Sequence, residues 1–296
     1  MDIKDIIEKE FGLIVNYIKV LGEGLDSVAY LVNNDYIFKM SKHQEARDNL
    51  KKEIQVLNYI KGKLSLQIPT IDYYSEKYSI CGYKEIKGTI LTSEYYEKMN
   101  SEEKEQLAKD ISLFCKELHS LPLPKIKDLE LNVIEDYESD YKELKENIYD
   151  SISEKAKIYL DGLFDRILND ERITKYDIAL CHNDLSCNHI VMDNNKIIGI
   201  IDFGDVAITD RDKDFVYLLE NSNEELGRNF GLKVLDYYNH PNKDVAILKA
   251  DLNDEYYSIE LILGGEAKEI KEMIDEGLEK LENLYLYKKH SKKTIF

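Results

Sequence analysis

Apolar and polar positions change rhythm along the chain. After a helix-like opening come three short β-like runs: Tyr17 to Leu21, Val28 to Val32 and Tyr36 to Met40. Asn33-Asn34-Asp35 is a turn signal between the last two. Residues 44 to 62 predict a helix, with Ile54, Leu57, Ile60 and Leu64 at helical spacing. Two more strand-like runs follow, Thr70 to Tyr74 and Ser79 to Ile86. Beyond Lys87-Gly88 the pattern becomes helical. Residues 101 to 120 carry Leu107, Ile111, Phe114 and Leu118 on one face, opposite acids and lysines. Residues 137 to 170 read as helical and charged. A β-like island interrupts: Ile178 to Cys181, His189 to Met192 and Lys196 to Ile201, with a hairpin turn at Asp193-Asn194-Asn195. From Phe215 the chain reads as mostly helical. The pattern is α+β, a small β-rich front half and a larger helical back half that meet near Gly88.

Composition narrows the class. With 296 residues, 43% of them hydrophobic and 10% aromatic, the chain can bury a real core and is not a disordered tail. No stretch of 18 apolar residues is present, so no membrane span is expected. Met1-Asp2-Ile3-Lys4-Asp5 has no apolar signal-peptide core. A net charge of −18 repels a polyanion such as nucleic acid and attracts a polycation. Cys81, Cys115, Cys181 and Cys187 show no C-x-x-C spacing and read as reduced thiols of a cytoplasmic protein.

Four places carry chemistry. The first is Leu21-Gly22-Glu23-Gly24-Leu25-Asp26-Ser27. Close glycines let a backbone turn tightly and approach a phosphate. A Rossmann loop needs a helix next, but a strand-like run follows, so the choices are a plain hairpin turn or a hairpin that covers phosphates, with Ser27 where a third glycine would stand. The second is Lys39 among apolar residues in Tyr36 to Met40. It is either a surface lysine or a phosphate-binding one paired with an acid of the next helix, Glu53 first and Glu45 second.

The third place is Cys181-His182-Asn183-Asp184-Leu185-Ser186-Cys187-Asn188-His189, then a predicted hairpin, then Ile201-Asp202-Phe203-Gly204-Asp205. Two acids 18 residues apart sit on short loops at strand ends. Phosphoryl transfer needs such a pair: one carboxylate orients or deprotonates the attacking hydroxyl, the other holds a divalent ion on the phosphates. Cys181, His182, Cys187 and His189 also admit a zinc reading, but their spacing matches no zinc finger or ribbon. The fourth is the stretch from Asp202 to Glu225, with eight acids and two bases. It is either a solvated acidic face or a site for a cation. Glu220 and Glu224, four apart, would share a helix face, where like charges repel until a cationic ligand relieves them.

Together, Gly22 and Gly24, Lys39, His182-Asn183-Asp184 and Ile201-Asp202-Phe203-Gly204-Asp205 resemble the aminoglycoside phosphotransferase family. The runs Leu21 to Gly24, Gly82-Tyr83-Lys84-Glu85-Ile86-Lys87-Gly88 and His182 to His189 resemble its 2''-phosphotransferase branch. The likeness spans nearly the whole chain. It implies the bilobal protein-kinase-like fold: a nucleotide-binding lobe over residues 1–87, a hinge at about 83–88, and a mainly helical lobe over 88–296.

The resemblance also implies roles. Asp184 would be the catalytic base or the residue that positions the hydroxyl. Asp202 would bind magnesium. Gly22, Gly24, Ser27 and Lys39 would meet the nucleotide phosphates, with Glu53 pairing Lys39. Glu85 and Ile86 would meet the purine through their backbone, with Tyr83 as gatekeeper. In the broad family an Asn five residues after the catalytic Asp is a metal ligand; here His189 stands there. Asn188 is one residue early and points elsewhere on entering a strand. His189 is therefore the expected ligand, although imidazole is a softer donor than magnesium usually selects. The implied reaction moves the γ-phosphate of GTP, with ATP as a second donor, to the 2''-hydroxyl of aminoglycosides such as kanamycin and gentamicin, which gives antibiotic resistance. Asp205, Glu220, Glu224 and Glu225 would face the cationic antibiotic, with Glu255, Tyr256 and Tyr257 as further candidates on a closing helix. A monomer is expected.

Two other readings share part of this pattern. Another small-molecule kinase, for choline or a sugar, would need an aromatic cage or a neutral pocket; Trp is absent and the stretch after Gly204 is acidic. A nucleotide-binding pseudokinase would not need Lys39, Asp184 and Asp202 all intact. A protein kinase would show an A-P-E segment, and none is present.

Overall fold

Gly12 ends the first helix, α1 (Ile3–Phe11), at φ 68°, a left-handed conformation that suits glycine, and its N–H closes onto Glu8 O. The structure, a computed structural model, describes residues 2–125, 131–220, 222 and 224–291. Next come β1 (Ile18–Glu23), β2 (Ser27–Val32), β3 (Tyr36–Ser41), α2 (Gln44–Ile60), β4 (Ile71–Ser75) and β5 (Ile80–Lys84). The five strands form one antiparallel sheet in the order β1-β2-β3-β5-β4. Asn33 and Asn34 turn β2 into β3 with φ of 54° and 55°, which Asn tolerates better than most residues.

Alternation along these strands decides what each face meets. Val32, Phe38 and Ile80 pack with Ile6, Ile7 and Val15 on the α1 side. Cys81, one residue on from Ile80, packs with Leu50 and Ile54 of α2. Lys39 is the register partner of Cys81, so it points to the α2 side as well. Opposite Phe38 stands Gly82, where a Cβ would lie 2.5 Å from the Phe38 ring.

The chain continues through β6 (Thr89–Ile90), α3 (Ser93–Lys98) and α4 (Ser101–His119). Asn100 and Glu103 form a capping box at the start of α4. Then follow α5 (Tyr137–Asn147), α6 (Glu154–Asn169), α7 (Glu171–Thr174), β7 (Ile178–Cys181), β8 (Ile190–Asp193), β9 (Lys196–Ile200) and β10 (Ala207–Asp210). The last helices are α8 (Val216–Leu219), α9 (Arg228–Tyr238), α10 (Lys243–Lys268) and α11 (Lys271–Ser291). β6, β8 and β9 make a small antiparallel sheet, and β10 pairs with β7. Helix α4 packs on α9 and β7, and α8 packs on α9.

Contacts divide the chain into two units. One holds residues 1–133 and 178–241, the other 134–177 and 242–296. The second is a helical assembly whose core includes Leu144, Leu160, Phe164, Ile259, Ile262 and Leu281. Among the described residues no helix is long and apolar enough to cross a membrane. All four cysteines are buried and none forms a disulfide; burial pushes each thiol up, that of Cys187 to about 12.

Several local expectations change. The helical stretch 137–170 breaks into α5, a 3-10 turn at Tyr149–Ser151, and α6. The strand predicted over 79–86 ends at Lys84. Strands β6 and β10 and helix α3 are additional. The helix after Phe215 stops at Leu219, so Glu220 ends α8 and Glu224 lies in the turn before α9. These two acids do not share a helix face.

Candidate active site

Lys39 joins three elements. Its Nζ lies 3.1 Å from Glu53 Oε2 on α2 and 2.9 Å from Asp202 Oδ1 in the loop after β9. Glu53 is 4% exposed. Burial disfavours the ammonium, but Glu53 and Asp202 outweigh it and hold the Lys39 pKa well above the usual value. Burial likewise works against the Asp202 carboxylate, and Lys39 nevertheless keeps its pKa below the ordinary range.

Two loops converge beside this ion pair, and each contains a strained residue. Asn183 has φ 67° and Asp202 φ 63°, the left-handed region that side chains seldom occupy. His182 ties the loops together. Its Nε2–H donates to Ile201 O at 3.0 Å, and its Nδ1 accepts from Asp184 N at 3.3 Å. Those two bonds require a neutral ring with its proton on Nε2, and burial lowers its pKa in keeping with that. Ile201 N returns a bond to His189 O at 2.9 Å. Asp184 and His189 are half-buried between the loops.

A buried carboxylate supports the first loop. Asp214 accepts from His182 N at 3.0 Å and from Asn183 N at 2.7 Å, and His119 Nε2 donates to it at 2.9 Å. Burial opposes ionisation of Asp214, yet His119 and the neighbouring donors hold its pKa below the ordinary range. Neither Asp214 nor His119 was singled out by the sequence. The two are 95 positions apart, and periodicity carries no signal for such a pair.

The acid-rich stretch splits in two. Asp210, Asp212 and Asp214 are buried, and Asp212 is ion-paired with His240 at 2.7 Å. Asp205, Glu220, Glu224 and Glu225 make up the other group. Asp205 is exposed, yet loss of hydration among its neighbours, then the charges of Asp184 and Asp202, raise its pKa. Glu225 is 8% exposed and accepts from Cys187 N at 3.2 Å. Burial, with Glu220 and Asp184 adding to it, lifts its pKa to about 7. Glu255 and Tyr256 lie in the second unit. There Glu255 accepts from Arg166 Nη2 at 2.6 Å and Tyr159 Oη at 2.7 Å, and Tyr256, 5% exposed, donates to Asp140. Tyr257 on the same helix is exposed.

Gly22 lies within β1 opposite Ala29, past a bulge at Leu21, and Gly24 N donates to Ser27 O at 3.0 Å. Neither glycine has a positive φ, and an added Cβ would meet nothing closer than 3.9 Å. Among the described residues nothing demands glycine at either position, and both glycines are exposed. Strand β2 follows, not a helix, which excludes the Rossmann arrangement. Tyr83 is half-buried on β5, its phenol pushed up by burial and by Glu53. Glu85 N donates to Asp35 O at 2.9 Å, and Ile86 lies against Gly199 of β9.

The donor set of His189 and Asp202 suits a divalent ion. His189 Nδ1–H donates to Asp184 O at 2.7 Å, which leaves the Nε2 lone pair for a ligand. That nitrogen lies 3.8 Å from Asp202 Oδ2, and one ion with bonds of about 2.1 Å fits between atoms so spaced. The zinc set of the sequence is not assembled. Cys181 Sγ turns to Asp210 O, Cys187 Sγ to Glu224 O and His182 to Ile201 O. Among the described residues His119, Cys181 and Asp214 do come together, but the Asp214 oxygens already accept three hydrogen bonds.

Comparison with known proteins gives a consistent result. A family model described as the phosphotransferase enzyme family matches residues 18–247. The gentamicin complex of APH(2'')-IIa superposes with a TM-score of 0.84 at 33% identity, covering 95% of this chain and 96% of that one. ADP-bound aminoglycoside phosphotransferase APH(2'')-Ib gives 0.83 at 33% identity, covering 95% and 97%. The GDP complex of aminoglycoside 2'-phosphotransferase-IIIa gives 0.81 at 28% identity, covering 96% and 97%.

Proposed function

We propose that this chain, which belongs to the phosphotransferase enzyme family, moves the γ-phosphate of GTP, and of ATP as a second donor, to the 2''-hydroxyl of aminoglycosides such as kanamycin and gentamicin. The observation that carries this reading is the cross-tied pair of loops: Asp184, next to strained Asn183, and the strained Asp202 are joined through His182, and Lys39 reaches Asp202 from the sheet. Relatives solved with gentamicin, ADP and GDP support the acceptor and donor classes.

In this reading residues 1–87 form the nucleotide lobe, 88–296 the second lobe, and 83–88 the hinge. Gly22, Gly24 and Ser27 cover the phosphates with bare backbone, and Lys39, oriented by Glu53, contacts them. Tyr83 backs the purine, with Ile86 and the Glu85 carbonyl at its edge. Asp202 and His189 would hold magnesium, which when bound neutralises charge on the phosphates. Asp184 accepts the proton of the attacking hydroxyl or fixes its direction, and burial among fixed dipoles keeps that geometry without reorganisation. Asp205, Glu220, Glu224 and Glu225 meet the ammonium groups of the antibiotic. Glu255 and Tyr256 are committed to partners in their own unit, so the proposal leaves them out. The enzyme acts in the cytoplasm as a monomer, and its product is a modified antibiotic, hence resistance.

A steady-state assay with magnesium, GTP and ATP supplied separately, and kanamycin or gentamicin as acceptor tests this. Antibiotic-dependent turnover with a phosphate ester at the 2'' position is expected. Folded protein that binds nucleotide and turns over with neither antibiotic would overturn the acceptor.

A further inference from the structure

The turn between β1 and β2 is gripped by two consecutive residues at the start of α2. Lys42 N donates to Asp26 O at 2.8 Å. Its Nζ donates to Gly24 O at 2.7 Å and lies 2.7 Å from Glu23 Oε1. His43 is the N-cap of α2: its Nδ1 accepts from Ala46 N at 3.3 Å. An Nδ1 that accepts carries no proton, so the ring proton of the neutral imidazole is on Nε2. That Nε2 lies 3.0 Å from Asp26 Oδ1. One imidazole therefore caps the helix and holds the turn. The same helix carries Glu53, the partner of Lys39.

We infer that Asp26 and His43 form a clasp between the glycine turn and α2, and that His43 is a positioning residue for the donor nucleotide. The inference rests on the nucleotide-binding reading above. Through the clasp, the backbone that covers the phosphates and the helix that orients Lys39 are held at one spacing. The two side chains are 39% and 42% exposed, so the pair adds little to folding stability. Its effect falls on nucleotide affinity, because a turn released from α2 must be ordered again each time a nucleotide binds.

Two substitutions separate the functions of the ring. His43→Asn places an acceptor where Nδ1 stands, which preserves the cap, but it cannot reach Asp26. His43→Gln places a donor near the position of Nε2, which preserves the reach. The measurements are thermal unfolding, equilibrium binding of a fluorescent GDP analogue with magnesium, and KM for GTP and for kanamycin. His43→Asn is expected to melt with wild type, to weaken nucleotide binding and raise the GTP KM about fivefold, and to leave the kanamycin KM unchanged. His43→Gln should melt lower than wild type through loss of the cap while its nucleotide affinity and GTP KM stay near wild type. Wild-type nucleotide affinity in His43→Asn, or equal losses in the two variants, overturns the clasp. A wild-type protein that binds the analogue but phosphorylates no aminoglycoside overturns the acceptor reading alone, and the binding arm still judges the clasp. A wild-type protein that binds no purine nucleotide overturns both.

Discussion

His119 donates through Nε2 to Asp214 Oδ2 at 2.9 Å, with 3% and 0% of the two side chains exposed. The pair stands behind the loop that carries Asp184. Asp214 spends its remaining capacity on two consecutive backbone amides, His182 N and Asn183 N, where the chain takes a left-handed step. The strain at Asn183 is thus held by a carboxylate that itself accepts from a ring on another helix.

Removal of that carboxylate should therefore cost both stability and turnover. Asp214→Ala leaves His119 and two amides without an acceptor in a dry place, and about 3–5 kcal/mol of stability should go with it. Asp214→Asn keeps one acceptor oxygen and should lose less stability while kcat still falls. Urea unfolding and kcat measured on both variants check this. An Asp214→Ala protein as stable as wild type would sink the account.

Asp184 has the opposite profile. It is half-buried in the loop after β7, and its carboxylate lies 3.5 Å from His189 Nδ1, a spacing an amide can keep, so Asp184→Asn should fold normally. Its kcat should drop by roughly two orders of magnitude or more, the scale on which general bases act. Near-normal turnover would remove the role assigned to this residue.

Glu225 predicts a pH dependence. Its folded pKa, about 7, lies above the ordinary 4.5. The folded state therefore keeps a proton that the unfolded state has lost in that interval. The stability tied to this proton is fully present below about pH 4.5 and is lost as pH rises to about 7, on the order of 3 kcal/mol in all. Glu225→Gln should flatten this slope and unfold at a higher temperature than wild type at pH 8. A cationic acceptor should bind wild type more tightly above pH 7, where the carboxylate is charged, and the variant should not share that gain. Melting curves from pH 5 to 8, with and without gentamicin, decide the point.

Gly231 bears on the same acids through packing. An added Cβ there would stand 2.1 Å from Leu218 O, with α9 pressed on α8. Gly231→Ala should push the helices apart, cost about 1–3 kcal/mol and disturb the turn that carries Glu220, Glu224 and Glu225. Chemical denaturation together with the aminoglycoside KM tests both effects. Unchanged values would show that the helices yield freely.

The strands and helices with a strong local period were legible from the sequence. The hairpin at Asn33-Asn34 and the face of α4 needed only turn chemistry and spacing. Lys39 and Glu53 were readable as a pair because one lies on a strand and the other on the next helix. β10 was not, because Ala207-Ile208-Thr209-Asp210 is short and passes straight into acids. The acids themselves misled for a physical reason. Charge density along a chain does not tell whether a carboxylate meets water or a distant histidine, and Asp212 and Asp214 meet His240 and His119. The helix imagined through Glu220 and Glu224 fails at Glu220 itself, which ends α8 in an extended conformation, φ −66° and ψ 147°.

The four sulfurs, sunk in the interior and kept protonated by it, make the folded protein blind to thiol-reactive dyes. A cysteine introduced at Leu25, 64% exposed on the glycine turn, would then be the single point of attachment with every native cysteine left in place. A fluorophore there turns the opening and closing of that turn into an optical signal, followed in real time as donor and acceptor are added.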